Sequence, residues 1–178
     1  MTLAAAAAGS AALTEIHRDL DRIFELVREL IVVGDGAHAA RALAAYRALT
    51  AGHAAAEEAL LLPCLNADAR WPAALYVGQH AKLLAGIDRA ADVVAAVAAP
   101  APRWRQMALC ALDTLIPVLH LAEHHHLAEE QALFPHVPVA RLAEVAATWP
   151  AELARHADTL AACRAALLVG PGPTSPRE

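Results

Sequence analysis

Two segments of the chain, residues 53–63 and 125–135, repeat one pattern of histidine, glutamate and proline. The first reads HAAAEEALLLP and the second HHLAEEQALFP, so both fit HxxxEExxL(L/F)P position by position. Each follows a segment of helical apolar spacing that carries one histidine on its apolar stripe, His17 before the first repeat and His80 before the second. The chain therefore contains two copies of a helix pair, and we expect the four helices to pack around one interior.

The composition favours helices throughout. Alanine supplies about a quarter of the residues, 58% are hydrophobic and only 4% are aromatic, which disfavours a β-sheet protein. Turn signals and prolines divide the apolar periodicity into helices at about 13–32, 38–62, 73–98, 104–134 and 149–168, and Pro117 should kink or divide the fourth. We predict an all-α, up-down-up-down four-helix bundle with an additional C-terminal helix. It forms one domain at 13–168 between flexible termini at 1–12 and 169–178.

Charge and hydropathy disfavour several classes of function. The net charge is −5 and no basic cluster stands out, so we expect no nucleic-acid partner and no anionic membrane surface. Charges interrupt every apolar stretch before the roughly 20 residues of a membrane span, and the uncharged residues 1–14 lack the basic start of a signal peptide. We expect a cytoplasmic protein whose three separated cysteines form neither a disulfide frame nor a thiolate zinc site.

The repeated spacing suits metal binding. Residues four apart on a helix share a face, so His53 reaches the same point as Glu57, and His125 the same point as Glu129. The stripes that carry these groups are otherwise apolar, and an unpartnered ionised carboxylate is costly to bury there. A lone histidine on such a stripe is usually a hydrogen-bonded core residue, but four in a repeated frame are not explained in that way. A cation resolves the difficulty, because it neutralises the carboxylates and accepts the imidazole lone pairs.

The donor types indicate which metal to expect. Imidazole and carboxylate without thiolate suit iron first, with manganese or zinc as alternatives. Four histidines and two glutamates exceed the needs of one tetrahedral zinc and fit a dinuclear centre bridged by the glutamates. The candidate ligands are His17, His53, Glu57, His80, His125 and Glu129.

The fourth helix leaves its register open. His126 and Glu130 are also four residues apart and continue an apolar stripe, so they compete with His125 and Glu129 for the site. The alignment on the prolines favours His125 and Glu129. In that register Glu130, like Glu58 in the first repeat, is placed to orient a ligating imidazole from behind.

The paired HxxxEExxL(L/F)P segments, each after a single-histidine helix, resemble the hemerythrin-like (HHE cation-binding) domains over about residues 13–138. The resemblance implies a four-helix bundle holding a non-haem, oxo- or hydroxo-bridged di-iron centre. By position it implies the same six ligands, with Glu57 and Glu129 as the bridges. The oxygen-carrying members have a second histidine four residues after the one on the third helix, where this chain has Leu84, and a bridging aspartate, where this chain has glutamate. These departures favour sensing, iron handling or chemistry on O₂, peroxide or NO over simple oxygen carriage.

Three functions are compatible with the sequence. The favoured one is a non-enzymatic metal-binding protein that senses O₂, NO or redox state or handles iron, with metal ions and O₂ or a similar small ligand as partners. The alternative is a di-iron oxidase or peroxidase-like enzyme, although the Glu-x-x-His spacing of ferritin-like sites occurs only once, at Glu123 and His126. The third, a metal-free interaction module, is disfavoured by the intact repeat. Self-association and a protein partner both stay open.

Overall fold

Six α-helices make up the part of the chain that the structure describes. The computed structural model describes residues 3–66 and 68–169, with side chains from Gly9 onward. The helices are α1 (Leu3–Val32), α2 (Gly36–Leu60), α3 (Ala73–Ala95), α4 (Trp104–Ala128), α5 (Val139–Arg155) and α6 (Ala157–Val169). A short 3₁₀ turn (Leu62–Cys64) follows α2, and α4 runs on into one π-helical turn (Glu129–Leu133) and a 3₁₀ turn (Phe134–His136).

The first four helices form the predicted antiparallel bundle. α1 packs against α2, α2 against α3 and α3 against α4, and contacts between α1 and α4 close the ring. Fully buried aliphatic side chains fill the interior. Each of the four helices contributes to it, for example through Leu20, Leu49, Leu83 and Leu115. The many alanines, among them Ala39, Ala42, Ala90 and Ala111 in the core, let neighbouring helices approach closely. The all-α bundle predicted from the sequence is confirmed.

The ends of the chain are more helical than the sequence predicts. α1 begins at Leu3, ten residues before the predicted start, and its early turns pack on α5, where Gly9 faces Leu142 and Val139. The single predicted C-terminal helix is two helices. α5 starts at Val139 because Pro138 opens it, and its buried stripe of Leu142, Val145 and Trp149 covers α1 and α2. Of the termini predicted to be flexible, 1–12 and 169–178, residues 1–2 and 170–178 lie outside the described residues.

Two glycines shape the turn between α1 and α2. Gly34 has a φ of +81°, which suits a residue without a β-carbon. Gly36 starts α2 against the end of α3, where its amide donates a hydrogen bond to the Val97 carbonyl at 2.8 Å. A β-carbon at Gly36 would overlap that carbonyl oxygen. This end of the bundle is therefore held by close backbone approach, at the opposite end of α2 from the HxxxE repeat.

The fourth helix is long and apolar. It continues through Pro117 as one helix, so of the predicted kink or division the division is absent. Among the described residues, the stretch Trp104–His136 has the length and mean hydropathy of a membrane span. Core helices of water-soluble proteins pass the same test, and here the stretch carries the buried His125 and Glu129 and packs against α3. Length and composition alone therefore assign no membrane span.

Candidate metal centre

The structure brings all six candidate ligands into one buried cluster between α1, α2, α3 and the end of α4. None of their side chains is more than 6% exposed, and both glutamates are fully buried: His17, His53, Glu57, His80, His125 and Glu129. Helical periodicity turns each inward, because each lies on the same stripe as the core leucines of its helix. The cluster is enclosed by apolar packing and holds two carboxylates without any lysine or arginine among its members.

The cluster has two halves that share the glutamates. One half brings together donor atoms of His17 and His53, the other brings together those of His80 and His125, and in each half all donor atoms lie within 4.8 Å of one another. Glu57 and Glu129 belong to both halves. The arrangement is therefore that of two adjacent ion positions with two carboxylates in common.

Each shared carboxylate directs one oxygen to each half. Glu57 places Oε1 3.4 Å from His53 Nε2 and Oε2 3.4 Å from His80 Nε2. Glu129 places Oε2 3.3 Å from His17 Nε2 and Oε1 3.0 Å from His125 Nε2. Two donors each about 2.1 Å from one ion, at tetrahedral or octahedral angles, are roughly 3.0–3.4 Å apart. The observed spacings match that range.

Three imidazoles are oriented from behind by hydrogen bonds through Nδ1. His17 Nδ1 lies 2.9 Å from Glu130 Oε1, and His80 Nδ1 lies 2.8 Å from Glu58 Oε1. Because an ionised carboxylate only accepts, each Nδ1 donates the hydrogen bond, and Nε2 is the ring atom directed into the cluster. These contacts place Glu58 and Glu130 where the sequence predicts an orienting role for them. His125 Nδ1 is held in the same way, 3.0 Å from Gln79 Oε1.

Most inner atoms of the cluster have no hydrogen-bond partner, although His17 Nε2 and His53 Nε2 lie 3.2 Å apart. Both oxygens of Glu57, both oxygens of Glu129 and Nε2 of His80 are buried and have no hydrogen-bond partner. Buried polar groups in native proteins are nearly always paired, so these five unpartnered atoms suit a positively charged occupant. A pair of cations fits this donor set.

Without bound metal, the pKa values of the buried carboxyl and imidazole groups are strongly shifted. Burial, reinforced by the charge of Glu129, raises the pKa of Glu57 well above its usual range. Burial acts in the same direction on Glu129, but the surrounding histidines, His125 first, outweigh it and hold the pKa of Glu129 well below normal. Burial lowers the pKa of His53 to about 3. Burial also opposes protonation of His80, yet the carboxylates around it raise its pKa to about 10. Protons thus occupy the cluster where cations are absent.

The structure places His125 and Glu129 in the cluster rather than the competing pair. The His126 ring lies outside both groups and stacks on His17, with centroids 4.1 Å apart and planes within 5°. The π-helical turn that begins at Glu129 follows directly on α4, and such single turns are frequent at functional sites. His120 and His124 are exposed, as expected for helix positions next to the inward stripe.

Three residues around the cluster were not identified from the sequence. Gln79, which precedes His80, gave no signal beyond its position. Trp149 on α5 places its ring 6.3 Å from His53 and donates from Nε1 to Asp19 Oδ2 at 2.9 Å, so α5 covers this side of the cluster. Tyr76 is fully buried 6.4 Å from the His125 ring, and its hydroxyl has no hydrogen-bond partner. Its helical spacing from His80 predicts only that it lies in the core.

Comparison with known proteins agrees with this geometry. Residues 8–120 match the hemerythrin HHE cation binding domain, a region that contains His17, His53, Glu57 and His80. The match ends before His125 and Glu129, whose place in the cluster rests on the structure. No curated protein and no solved structure matched significantly. The matched region covers more than half of the chain and includes the first repeat, and the chain belongs to the hemerythrin HHE cation-binding domain family.

Proposed function

We propose that the protein binds two iron ions in this cluster and uses them to sense O₂, NO or redox state or to handle iron, in the cytoplasm and without catalytic turnover. The observation that carries the proposal is the pair of shared carboxylates, whose four oxygens are buried, unpartnered and aimed at two separate histidine pairs. Removing one ion would leave half of these atoms uncompensated. A dinuclear occupant is therefore favoured over a single ion.

The donor set supports iron over the alternatives. Each half offers two imidazoles and two carboxylate oxygens, and no thiolate contributes. Cys64, Cys110 and Cys163 are free thiols outside both groups, and Cys163 Sγ is directed at the His38 carbonyl. Such mixed nitrogen and oxygen donors suit iron, with manganese or zinc as the competing occupants. Iron bound there supplies reversible redox chemistry and affinity for small ligands.

The number of donors supports a small-ligand function. Four protein donor atoms in each half leave room for further ligands on an ion that prefers five or six. Leu84, one turn after His80, contributes an apolar side chain packed against the core, so the third helix adds no second imidazole. A diatomic gas or a small anion would supply such a further ligand.

Metal analysis tests the proposal directly. Protein purified without chelator should hold about two ions per chain by elemental analysis, and iron-loaded protein should develop ligand-to-metal charge-transfer bands when azide or O₂ is added. A stable protein that stays metal-free in the presence of iron, manganese and zinc would overturn the dinuclear proposal. If two ions bind but no charge-transfer band develops, the dinuclear site is supported and iron-based sensing is contradicted.

An enzyme acting on peroxide or O₂ is the second candidate, and Tyr76 is the observation that favours it. Burial, followed by the charges of Glu129 and Glu57, raises the pKa of Tyr76 to about 12, so the hydroxyl keeps its proton near the cluster. An unpartnered buried O–H group is a ready donor to a small oxygen ligand. If the protein turns over peroxide, Tyr76→Phe should lower the rate while the metal content stays at two. Stoichiometric azide binding with no peroxide consumption in the unaltered protein supports the sensor instead.

A further inference from the structure

A surface pocket of about 300 Å³ reaches the edge of the buried cluster between α1 and the end of α4. Its inner wall is His17, the cluster member whose Nε2 faces Glu129. Glu130, which holds His17 Nδ1 from behind, also lines the pocket and keeps 31% of its side chain exposed. The pocket is therefore separated from the cluster by one imidazole and its hydrogen-bond partner.

The pocket is acidic. Asp21, Glu123 and Glu130 line it, against the single cation of Arg18. The Arg18 guanidinium is engaged by Glu15 Oε2 at 2.9 Å, and no arginine or lysine forms an ion pair with any of the three carboxylates among the described residues. Partial burial raises the pKa of Asp21; the charge of His17 opposes this shift, and the charges of Glu123 and Glu130 add to it. The carboxylates thus lie close enough to repel one another.

A buried histidine without a hydrogen bond faces the same pocket. His126 is only 8% exposed, lines the pocket, and lies parallel to the His17 ring. Its nearest carboxylate oxygen, Asp21 Oδ1, is 3.7 Å from Nδ1, beyond hydrogen-bond distance. The ring therefore faces the pocket with no hydrogen-bond partner for Nδ1, and imidazole nitrogen is a common ligand of divalent metal ions.

We propose that this pocket, lined by Asp21, Glu123, Glu130 and His126, is an entry site that captures a hydrated divalent cation and passes it to the buried cluster. The inference rests on the proposed dinuclear site as the destination. The three carboxylates attract the cation from solution, His126 offers it a first nitrogen ligand, and His17 and Glu130 form the passage. Among the described residues, the two groups whose donor atoms lie within 4.8 Å of one another are both in the buried cluster. The donors of the pocket are more widely spaced, so the entry site holds its ion loosely and releases it inward.

The kinetics of cobalt loading test the entry site. Metal-free protein is mixed with Co²⁺ in a stopped-flow spectrometer, and the rise of its visible bands gives the loading rate, while elemental analysis gives the final stoichiometry. Asp21→Asn with Glu123→Gln removes two pocket carboxylates, and Asp92→Asn with Asp113→Asn removes two exposed carboxylates elsewhere as the matched control. His126→Phe keeps a planar ring against His17 but removes the nitrogen.

We expect the pocket double variant to load roughly three- to tenfold more slowly at low ionic strength, with the difference shrinking at high salt. Its final content should remain two ions per chain, because neither altered carboxylate belongs to the cluster. His126→Phe should also load slowly, and its slower rate should persist at high salt because a ligand has been lost. The control double variant should load like the unaltered protein.

The outcomes separate the entry site from the dinuclear site. If the pocket double variant reaches two ions at the rate of the control double variant, the entry site is overturned and the cluster stands. If the unaltered protein binds fewer than two ions, the proposed function fails and the entry site has no destination. Slow loading confined to the pocket variants, at full stoichiometry, supports the proposal.

Discussion

Replacing Glu57 with glutamine removes a bridging charge while keeping the shape of the side chain. Glu57 is fully buried and directs one oxygen to His53 and the other to His80, each at 3.4 Å. An amide offers an oxygen to one of these halves and an N–H₂ group, which binds no metal, to the other. We expect Glu57→Gln to lose one ion outright and to hold the other more weakly.

The magnitude follows from the linkage between binding and folding. An ion present at 100 times its dissociation constant stabilises the folded state by about 2.7 kcal/mol, so two ions contribute about 5 kcal/mol. For a chain of this length, 1 kcal/mol moves the melting temperature by roughly 2–4 °C, so metal should raise it by roughly 10–20 °C. Glu57→Gln should lose at least half of that increase. In the metal-free state the substitution should change stability by less than about 1 kcal/mol, because burial already favours the protonated form of Glu57.

The assay is calorimetric unfolding with and without metal, combined with elemental analysis. Glu58→Gln is the matched control, because it makes the same chemical change one residue away, where the carboxylate contacts His80 Nδ1 from outside the cluster. In other metal sites, loss of such an orienting partner typically weakens metal binding by about 10–100-fold. Glu58→Gln should therefore still bind two ions at saturating metal. If Glu57→Gln binds two ions and keeps the full rise in melting temperature, the bridging assignment is wrong.

Three further predictions concern the register, the packing and the pH dependence. His125→Ala should lose metal while His126→Ala keeps two ions at equilibrium, and equal or reversed losses by elemental analysis would contradict the register in the structure. Gly36→Ala should lower the melting temperature by roughly 2–12 °C, because a β-carbon there overlaps two backbone carbonyl oxygens at the end of α3. Gly78→Ala, with nothing within 4 Å, should raise it slightly. The metal-free protein should lose stability to denaturant as the pH rises from about 6.5 towards 10, because the folded state raises the pKa of His80 from 6.5 to about 10. Stability that increased over this range would refute that account.

Much of the candidate site was visible in the sequence because its spacing is local. A histidine and a glutamate four residues apart share a helix face in any helix, so the pairing of His53 with Glu57 needs no knowledge of the fold. The repeat frame and the prolines also selected His125 over His126. Glu58 and Glu130 were identifiable because each directly follows one of the two shared glutamates in the repeat.

Other features of the site depend on contacts between distant segments. The Gln79 hydrogen bond to His125 joins residues 46 positions apart, and Gln79 carries no motif of its own. Trp149 reaches the cluster only because α5 folds back over α1 and α2. The early start of α1 has the same origin, since alanine is compatible with helix and the packing on α5 supplies the contact at Gly9.

The sequence by itself determined that this chain forms helices and that six histidines and glutamates face inward on four of them, because helical periodicity fixes the face of each residue from its neighbours alone. Tertiary structure decided that His17 joins His53 and that His80 joins His125, with the two glutamates shared between the pairs. That partition depends on which helices are adjacent and how far each is shifted along its axis. Packing of the whole core sets those quantities, and no local pattern encodes them.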